Sequence, residues 1–404
     1  MPSLLRPLLF ACATVIAVAG ATHAVAATLP GGPACLSPAT WHIAEGERLR
    51  ATGARSILLA MAERDVVLLG EWHNEDDHHR WQLQTLAALA TLRPDIVIGF
   101  EMFPRRLQPV LERWVAGELT TDQFILQSEW ATVWSMPFEL YLPLFQFARI
   151  NRIPMLALNV DSKLTRAVAR GGWDSVPHLE REGVGRAAAP SSAYRAFLFD
   201  IYSEHAQHTS NEGSARERAS AFTHFVESQT TWDRAMAEAL AGRLLATKPA
   251  GGNQPLMVGI IGSGHLNHGY GVPHQLRDLG VGNVGVLLPM DADANCKELT
   301  PGLADAIFAL PTQASAPPPP PRMGARLDQK DDGVYISAIT EGGLAQRTGL
   351  QGGDRLITLG GAPAQQIGAV MAALNAQPAG SWLPLQVARA TLTLDLVLKF
   401  APKP

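Results

Sequence analysis

The sequence predicts an α/β fold, a mainly parallel β-sheet flanked by helices, followed by a small β-rich domain. Three observations carry this reading. From Ser56 to Pro289, short β-branched runs such as Val66-Val67-Leu68-Leu69 and Ile96-Val97-Ile98 alternate with helix-length stretches. The runs are apolar on both faces, which marks strands of a parallel sheet covered on both sides. Within Ala314 to Pro321 lie five consecutive prolines, Pro317 to Pro321, a stiff polyproline spacer rising about 3.1 Å per residue that separates two domains. Beyond it, Met323 to Phe400 is cut by turn glycines into short strands around one helix, Gln366 to Ala376.

Taken in order, the first residues carry one positive charge at Arg6 and lead into an apolar run, Leu8 to Val25. The run closes on Ala24-Val25-Ala26, which reads as a signal peptide over residues 1–26 cleaved near Ala26; the bland alternative is a retained anchor. Residues 27–50 form a polar lead-in, 51–300 the α/β domain, 311–321 the proline-rich linker and 322–404 the second domain. A chain of 404 residues, 47% hydrophobic, can fill two cores, and a net charge of −4 excludes a strongly basic nucleic-acid-binding face. Cleavage removes Cys12 and leaves Cys35 and Cys296, predicted to form one disulfide in an exported protein. Neither has zinc-knuckle spacing.

Within the domain, Glu75 to Leu92 is predicted helical, with His79, Leu83, Leu86 and Ala90 on one face and His78 about a hundred degrees away, toward solvent or the rim. Pro104 to Trp114 and Thr121 to Gln127 read as helices. The aromatic segment Trp130, Trp134, Phe138, Tyr141, Phe145 and Phe147 reads as core. Ala187 to Arg243 reads as long helices with Phe197, Tyr202, Phe222, Phe225 and Trp232 as buried rungs.

The chemistry sits at the strand ends. Gly70-Glu71-Trp72-His73 and Gly262-Ser263-Gly264-His265 each deliver a histidine just past a strand. Two further runs stop on Glu101 and on Asn159 and Asp161. Ligands of open α/β sheets lie beyond the carboxyl ends of the strands, so these groups are predicted to converge on one rim. A carboxylate beside an imidazole can bind a metal, shuttle a proton, or fix the tautomer of a ligating histidine. Arg105 and Arg106 could pair an acidic group or a propionate.

These motifs, with His79, Gln82, Gly99-Phe100-Glu101-Met102-Phe103, Leu158-Asn159-Val160 and Gly264-His265-Leu266-Asn267-His268-Gly269-Tyr270-Gly271-Val272-Pro273, resemble the ChaN-like haem-binding family, from about Ala51 to Pro289. The resemblance implies the α/β fold shared with Tiki proteases and erythromycin esterases, haem binding, and a link to bacterial iron uptake. The cofactor-binding residues it places are Glu71, His73, His79, Glu101, Arg105, Tyr141, His265 and Tyr270. Tyrosine ligation of haem iron is associated with the family, and Tyr141 and Tyr270 are both candidates. Family members are often lipoproteins, whereas too little apolar sequence precedes Cys12 here for a lipobox.

The tail, with Gly333-Val334-Tyr335-Ile336, Gly343-Leu344-Ala345 and Gly352-Gly353-Asp354-Arg355-Leu356-Ile357, resembles a bacterial PDZ domain. Such domains take a peptide C-terminus as an added strand, which implies binding residues Met323, Gly324, Ala325, Arg326, Ile367, Val370 and Met371. The reading is an exported, periplasmic haem-binding protein whose PDZ domain recruits the C-terminal peptide of an exported or membrane protein. Membrane association through that partner and a homodimer stay open. The rival is a metal-dependent hydrolase of the Tiki or esterase kind. It would use Glu71, His73, Glu101 and His265, with a divalent ion on His73, His265 and Glu101.

Overall fold

The structure is a computed structural model that describes residues 35–46, 48–134, 136–206, 214–246, 254–312, 322–378 and 380–401. The expected signal peptide and most of the proline linker lie outside them. Among the described residues no helix is long and apolar enough to cross a membrane. In the first domain, β1 (Thr40–Glu45), β2 (Arg48–Thr52) and α1 (Ala54–Ala62) precede β3 (Val66–Glu71), α2 (Asp76–Leu92) and β4 (Ile96–Pro104). Then come α3 (Gln108–Ala116), α4 (Thr121–Gln127), α5 (Trp130–Val133), α6 (Phe138–Ile150), β5 (Met155–Asn159) and α7 (Ser162–Gly171). Next are α8 (Ser192–Ala206), α9 (Ala215–Ala246), β6 (Leu256–Gly262), α10 (Val272–Asp278), β7 (Val284–Asp291) and β8 (Ala306–Leu310).

The sheet runs β2-β1-β8-β7-β3-β6-β4-β5; β8 through β5 are parallel, and β1 and β2 are antiparallel at one edge. Every position of β3, β4 and β6 is buried, which is why their sequences run apolar without alternation. Val67 and Leu69 face an aromatic core of Trp81, Trp114, Phe124 and Phe145. Val66 and Leu68 face Leu240, Leu244 and Leu276 on the other side, following the two-residue period of a strand. β6 sits between β3 and β4, although those two are consecutive in the chain and β6 comes much later. Three carboxyl ends thereby adjoin at a point where the strand order reverses.

Several expectations need correction. The polar lead-in carries β1, whose Trp41 and His42 are buried, and β1 pairs with β8; both strands add to the sheet outside the 51–300 span. The segment from Pro104 is not helical at its start. β4 runs through Pro104, with a register shift against β5 between Phe100 and Pro104, and a 3₁₀ turn over Arg105–Leu107 follows before α3. Of the rungs expected in α8 and α9, Phe197, Tyr202, Phe222, Phe225 and Trp232 are only half-buried, whereas neighbours such as Tyr194, Leu198 and Val226 are buried. A two-helix layer with one solvent side cannot bury rungs around its whole circumference.

The second domain is a six-stranded antiparallel sheet, β14-β13-β11-β10-β9 with β12 on β11. Its elements are β9 (Ala325–Lys330), β10 (Gly333–Ile339), α11 (Leu344–Thr348), β11 (Arg355–Leu359), β12 (Ala362–Pro363), α12 (Ile367–Asn375), β13 (Trp382–Arg389) and β14 (Leu392–Lys399). Asp354 explains the glycine-aspartate turn before β11. Its buried carboxylate takes two 2.7 Å hydrogen bonds from Arg389 and one from the Gln351 N–H. β9 is an edge strand, and Gln329 pins it to the start of α12 by donating to Gln365 O and accepting the Ile367 N–H, each at 2.9 Å. α12 also packs at Gly368 against Ala131 of α5.

Cys35 and Cys296 form a disulfide with their Cα atoms 5.7 Å apart, as the cysteine count predicts. It closes a loop with a sequence separation of 261 residues, worth about 5 kcal/mol in the chain-entropy model. Thiol titration of denatured, unreduced protein lacking its first 26 residues should find no free thiol. Two free thiols per chain would refute the pairing.

Candidate functional site

Glu71 is the last residue of β3 and is fully enclosed. The His73 ring donates from Nδ1 to Glu71 Oε1 at 2.7 Å, and the Tyr141 hydroxyl donates to the same oxygen at 2.7 Å. His79 approaches Glu71 Oε2 with Nδ1 at 3.2 Å and reaches His73 O with Nε2 at 3.2 Å. Burial alone would push the Glu71 carboxyl up, but the bonds from His73 and His79 outweigh it and hold the group down at about 2. Burial likewise disfavours charge on His73 and His79, yet Glu71 raises both above the usual imidazole value. Tyr141 is pushed far up by burial and by the Glu71 charge, so its phenol stays protonated behind the carboxylate.

A second set matches the first. His265, just past β6, donates from Nδ1 to Asp233 Oδ1 of α9 at 2.7 Å, and the Tyr194 hydroxyl of α8 donates to Asp233 Oδ2 at 2.8 Å. Asp233 and Tyr194 are both buried. A tryptophan edge meets each imidazole, Trp134 on His73 with ring centroids 4.8 Å apart and Trp232 on His265 at 5.0 Å. Burial lowers the His265 pKa, but Asp233 and then Glu101 outweigh it and bring the ring to about 9.

Glu101 of β4 lies between the two sets. Its Oε2 accepts the Gly262 N–H at 2.6 Å, while Oε1 is buried without a hydrogen-bond partner and lies 3.8 Å from His265 Nε2. Gly262 is required here, because a Cβ would stand 3.0 Å from His73 Nε2 and 3.5 Å from Glu101 Oε2. Gly271 is required for the second set, because a Cβ there would stand 2.6 Å from Asp233 Oδ1. Both glycines let backbone approach functional side chains that any larger residue would displace.

Glu71, His73, Glu101 and His265 thus meet as expected, with Asn159 beneath them donating to Glu101 O at 2.8 Å. Other expected members are placed elsewhere. The Asp161 side chain pairs with Arg106, which also grips Glu129. Arg105 is directed at α9, donating to Ala235 O at 2.6 Å and lying 3.5 Å from Glu238. Tyr270 is half-buried and packs on Tyr194, with centroids 5.8 Å apart, and on His268. His78, expected toward solvent or at the rim, is buried; its Nδ1 accepts the Trp72 N–H at 3.0 Å, and burial lowers its pKa to about 4. The turn after β3 folds back over the start of α2 and encloses it.

In the second domain, Met323 and Val370 are core residues rather than groove lining. Gly324 takes a left-handed φ of +74°, Arg326 and Met371 are exposed, and Ala325 and Ile367 are half-buried between β9 and α12.

Sequence reading missed Asp233, Tyr194 and the role of Trp232. A signal was present: Val226, Thr230, Asp233, Ala237, Leu240 and Leu244 are all buried on α9 at three- and four-residue spacing. A carboxylate on an apolar stripe needs a buried partner.

The fold and this centre define a class: an α/β domain with paired carboxylate-backed histidines at its strand ends, joined to a second domain with an open edge strand and facing helix. The chain belongs to the family of haem-binding uptake proteins of the Tiki superfamily, ChaN, whose model matches residues 57–276, and it carries a PDZ domain matched over residues 313–388. Comparison with curated proteins finds no match. Among solved structures, ChaN of Campylobacter jejuni, described as binding haem cofacially, is 18% identical over 66% of this chain and 96% of that one, with a TM-score of 0.48. The HtrA3 PDZ domain bound to a phage-derived ligand is 23% identical over 20% of this chain and 84% of that one, with a TM-score of 0.18. The HtrA-type protease AlgW with a decapeptide is 18% identical, with a TM-score of 0.19; the match covers 20% of this chain and 29% of the protease.

Proposed function

We propose that this chain is an exported, periplasmic haem-binding protein with a role in haem or iron uptake, and that its PDZ domain recruits a protein partner through that partner's C-terminus. The observation that carries the reading is the pair of imidazoles, each fixed at Nδ1 by a buried carboxylate so that Nε2 is left for a ligand. Imidazole nitrogens are haem-iron donors. Trp72, 61% exposed beside His73, with the edges of Trp134 and Trp232, supplies flat apolar contact for a porphyrin. Bound haem would supply an iron centre to be carried; the chain's own groups hold it and keep the imidazoles oriented.

The hydrolase alternative lacks this support. Among the described residues no group of three or more His, Cys, Asp or Glu side chains has metal-holding geometry. Glu101 Oε2 is committed to the Gly262 N–H, and the other oxygen stands 3.8 Å from His265. Haemin titration of the purified chain should give a saturable, shifted Soret band. An unshifted spectrum, together with stoichiometric divalent metal and chelator-sensitive cleavage, would replace this reading with the hydrolase.

The PDZ reading has its own test. Met371, 43% exposed one turn after Ile367, faces the groove side of α12, whereas Val370 is in the core. Met371→Asp should abolish binding of peptides with a free apolar C-terminus and leave the melting curve intact. Val370→Asp buries an unpaired charge and should unfold the domain. Undiminished binding by Met371→Asp would remove the groove from this face.

A further inference from the structure

We propose that Asp233, held by Tyr194, is a positioning residue that strengthens His265 as a ligand, and that the two carboxylate-backed histidines bias the site toward ferric over ferrous haem. The inference rests on the haem-binding reading above.

The first argument is local. A carboxylate that accepts the Nδ1–H of a ligating imidazole fixes its tautomer and raises the basicity of Nε2. Asp233 does this for His265 at 2.7 Å, as Glu71 does for His73 at 2.7 Å. Both carboxylates are themselves fixed by a tyrosine hydroxyl, Tyr194 and Tyr141. The two sets come from different parts of the chain, one from β3 and α6, the other from α8, α9 and the turn after β6. A more basic donor stabilises the more electron-poor metal.

The second argument is the field. Glu71, Glu101 and Asp233 are each at most 2% exposed, and Glu101 Oε1 has no hydrogen-bond partner to spread its charge. The ferric porphyrin core carries one positive charge more than the ferrous core. Carboxylates near it in a poorly solvated site favour the ferric state, since charge interactions weaken less there than in water. Ligand basicity and buried charge are two of the levers by which a protein sets haem potential, and here they act in one direction.

The test measures the midpoint potential of the haemin complex of the full chain for wild type and Asp233→Asn, alongside 15N spectra of labelled histidine in the apo protein. Asp233→Asn should raise the potential by at least about 59 mV, a tenfold change in the ratio of ferric to ferrous affinity for one electron. In the apo protein at alkaline pH, where the ring is neutral, it should move the His265 proton from Nδ1 to Nε2. An unchanged potential and unchanged tautomer in a folded variant overturn the proposal and reduce Asp233 to satisfying buried groups. If Asp233→Asn does not fold, Tyr194→Phe serves. It deletes one hydroxyl, leaves the full carboxylate charge for His265, and should lower the potential; no change there is equally fatal. Failure of the wild type to bind haemin defeats the parent reading instead, and the apo tautomer still reports on Asp233.

Discussion

Replacing Glu71 with leucine is expected to destabilise the α/β domain by about 3–5 kcal/mol, because removing one partner of a buried ionic cluster strands the others. Tyr141, enclosed with Glu71, donates to its Oε1, and the enclosed His79 ring lies 3.2 Å from Oε2 while it also meets Gln82 Oε1 and His73 O. The pH profile identifies the cause. The folded Glu71 pKa, about 2, lies below the ordinary 4.5. The stability it contributes is therefore whole above pH 4.5 and is lost as pH falls through about 2. His73 and His79 lie above the ordinary 6.5, so their contribution is whole below pH 6.5 and is lost as pH rises through their folded values. Urea denaturation across pH should show wild-type stability declining on both flanks and a flatter profile for Glu71→Leu. Two parallel profiles would mean that the cluster is not what couples folding to protons.

The double variant His73→Ala/His265→Ala is expected to lose at least 100-fold in haemin affinity, about 2.7 kcal/mol. Both rings stand at the rim with side chains 32% and 12% exposed, and their removal also takes the Nδ1 partner from buried Glu71 and Asp233. Because each lost ring also leaves a buried carboxylate short of a partner, a circular-dichroism melt must show that the double variant is folded at the titration temperature. The readout is Soret titration at a single ionic strength. Affinity equal to wild type would place haem elsewhere, with half-exposed Tyr270 the next residue to replace.

Much of the centre is legible because a parallel sheet writes its strand ends into contiguous sequence. β3 is apolar up to Glu71, β4 up to Glu101 and β6 throughout, so the first polar group of each run falls at or near the carboxyl end. Glu71, His73, Glu101 and His265 are read that way. The same logic fails for the strands at the beginning and end of the domain. β1 and β8 are short and flank the domain, and β1 ends in exposed residues, so neither stands out from a loop. It fails also for His78, since helical phase gives a direction but not what the preceding turn folds over.

The amino-acid order alone settles the two domains, the parallel core, the cysteine pair, and the four groups at the strand ends. Only tertiary structure decides what backs those groups. Asp233 and Tyr194 come from helices α9 and α8, and they meet His265 because those helices pack over the end of β6. Tyr141, read as core or ligand, becomes the hydroxyl that fixes Glu71. A strand end is a local property of hydrophobic pattern. The partner of a buried carboxylate is set by packing across the sheet, and the desolvation penalty that demands such a partner exists only once the chain has folded.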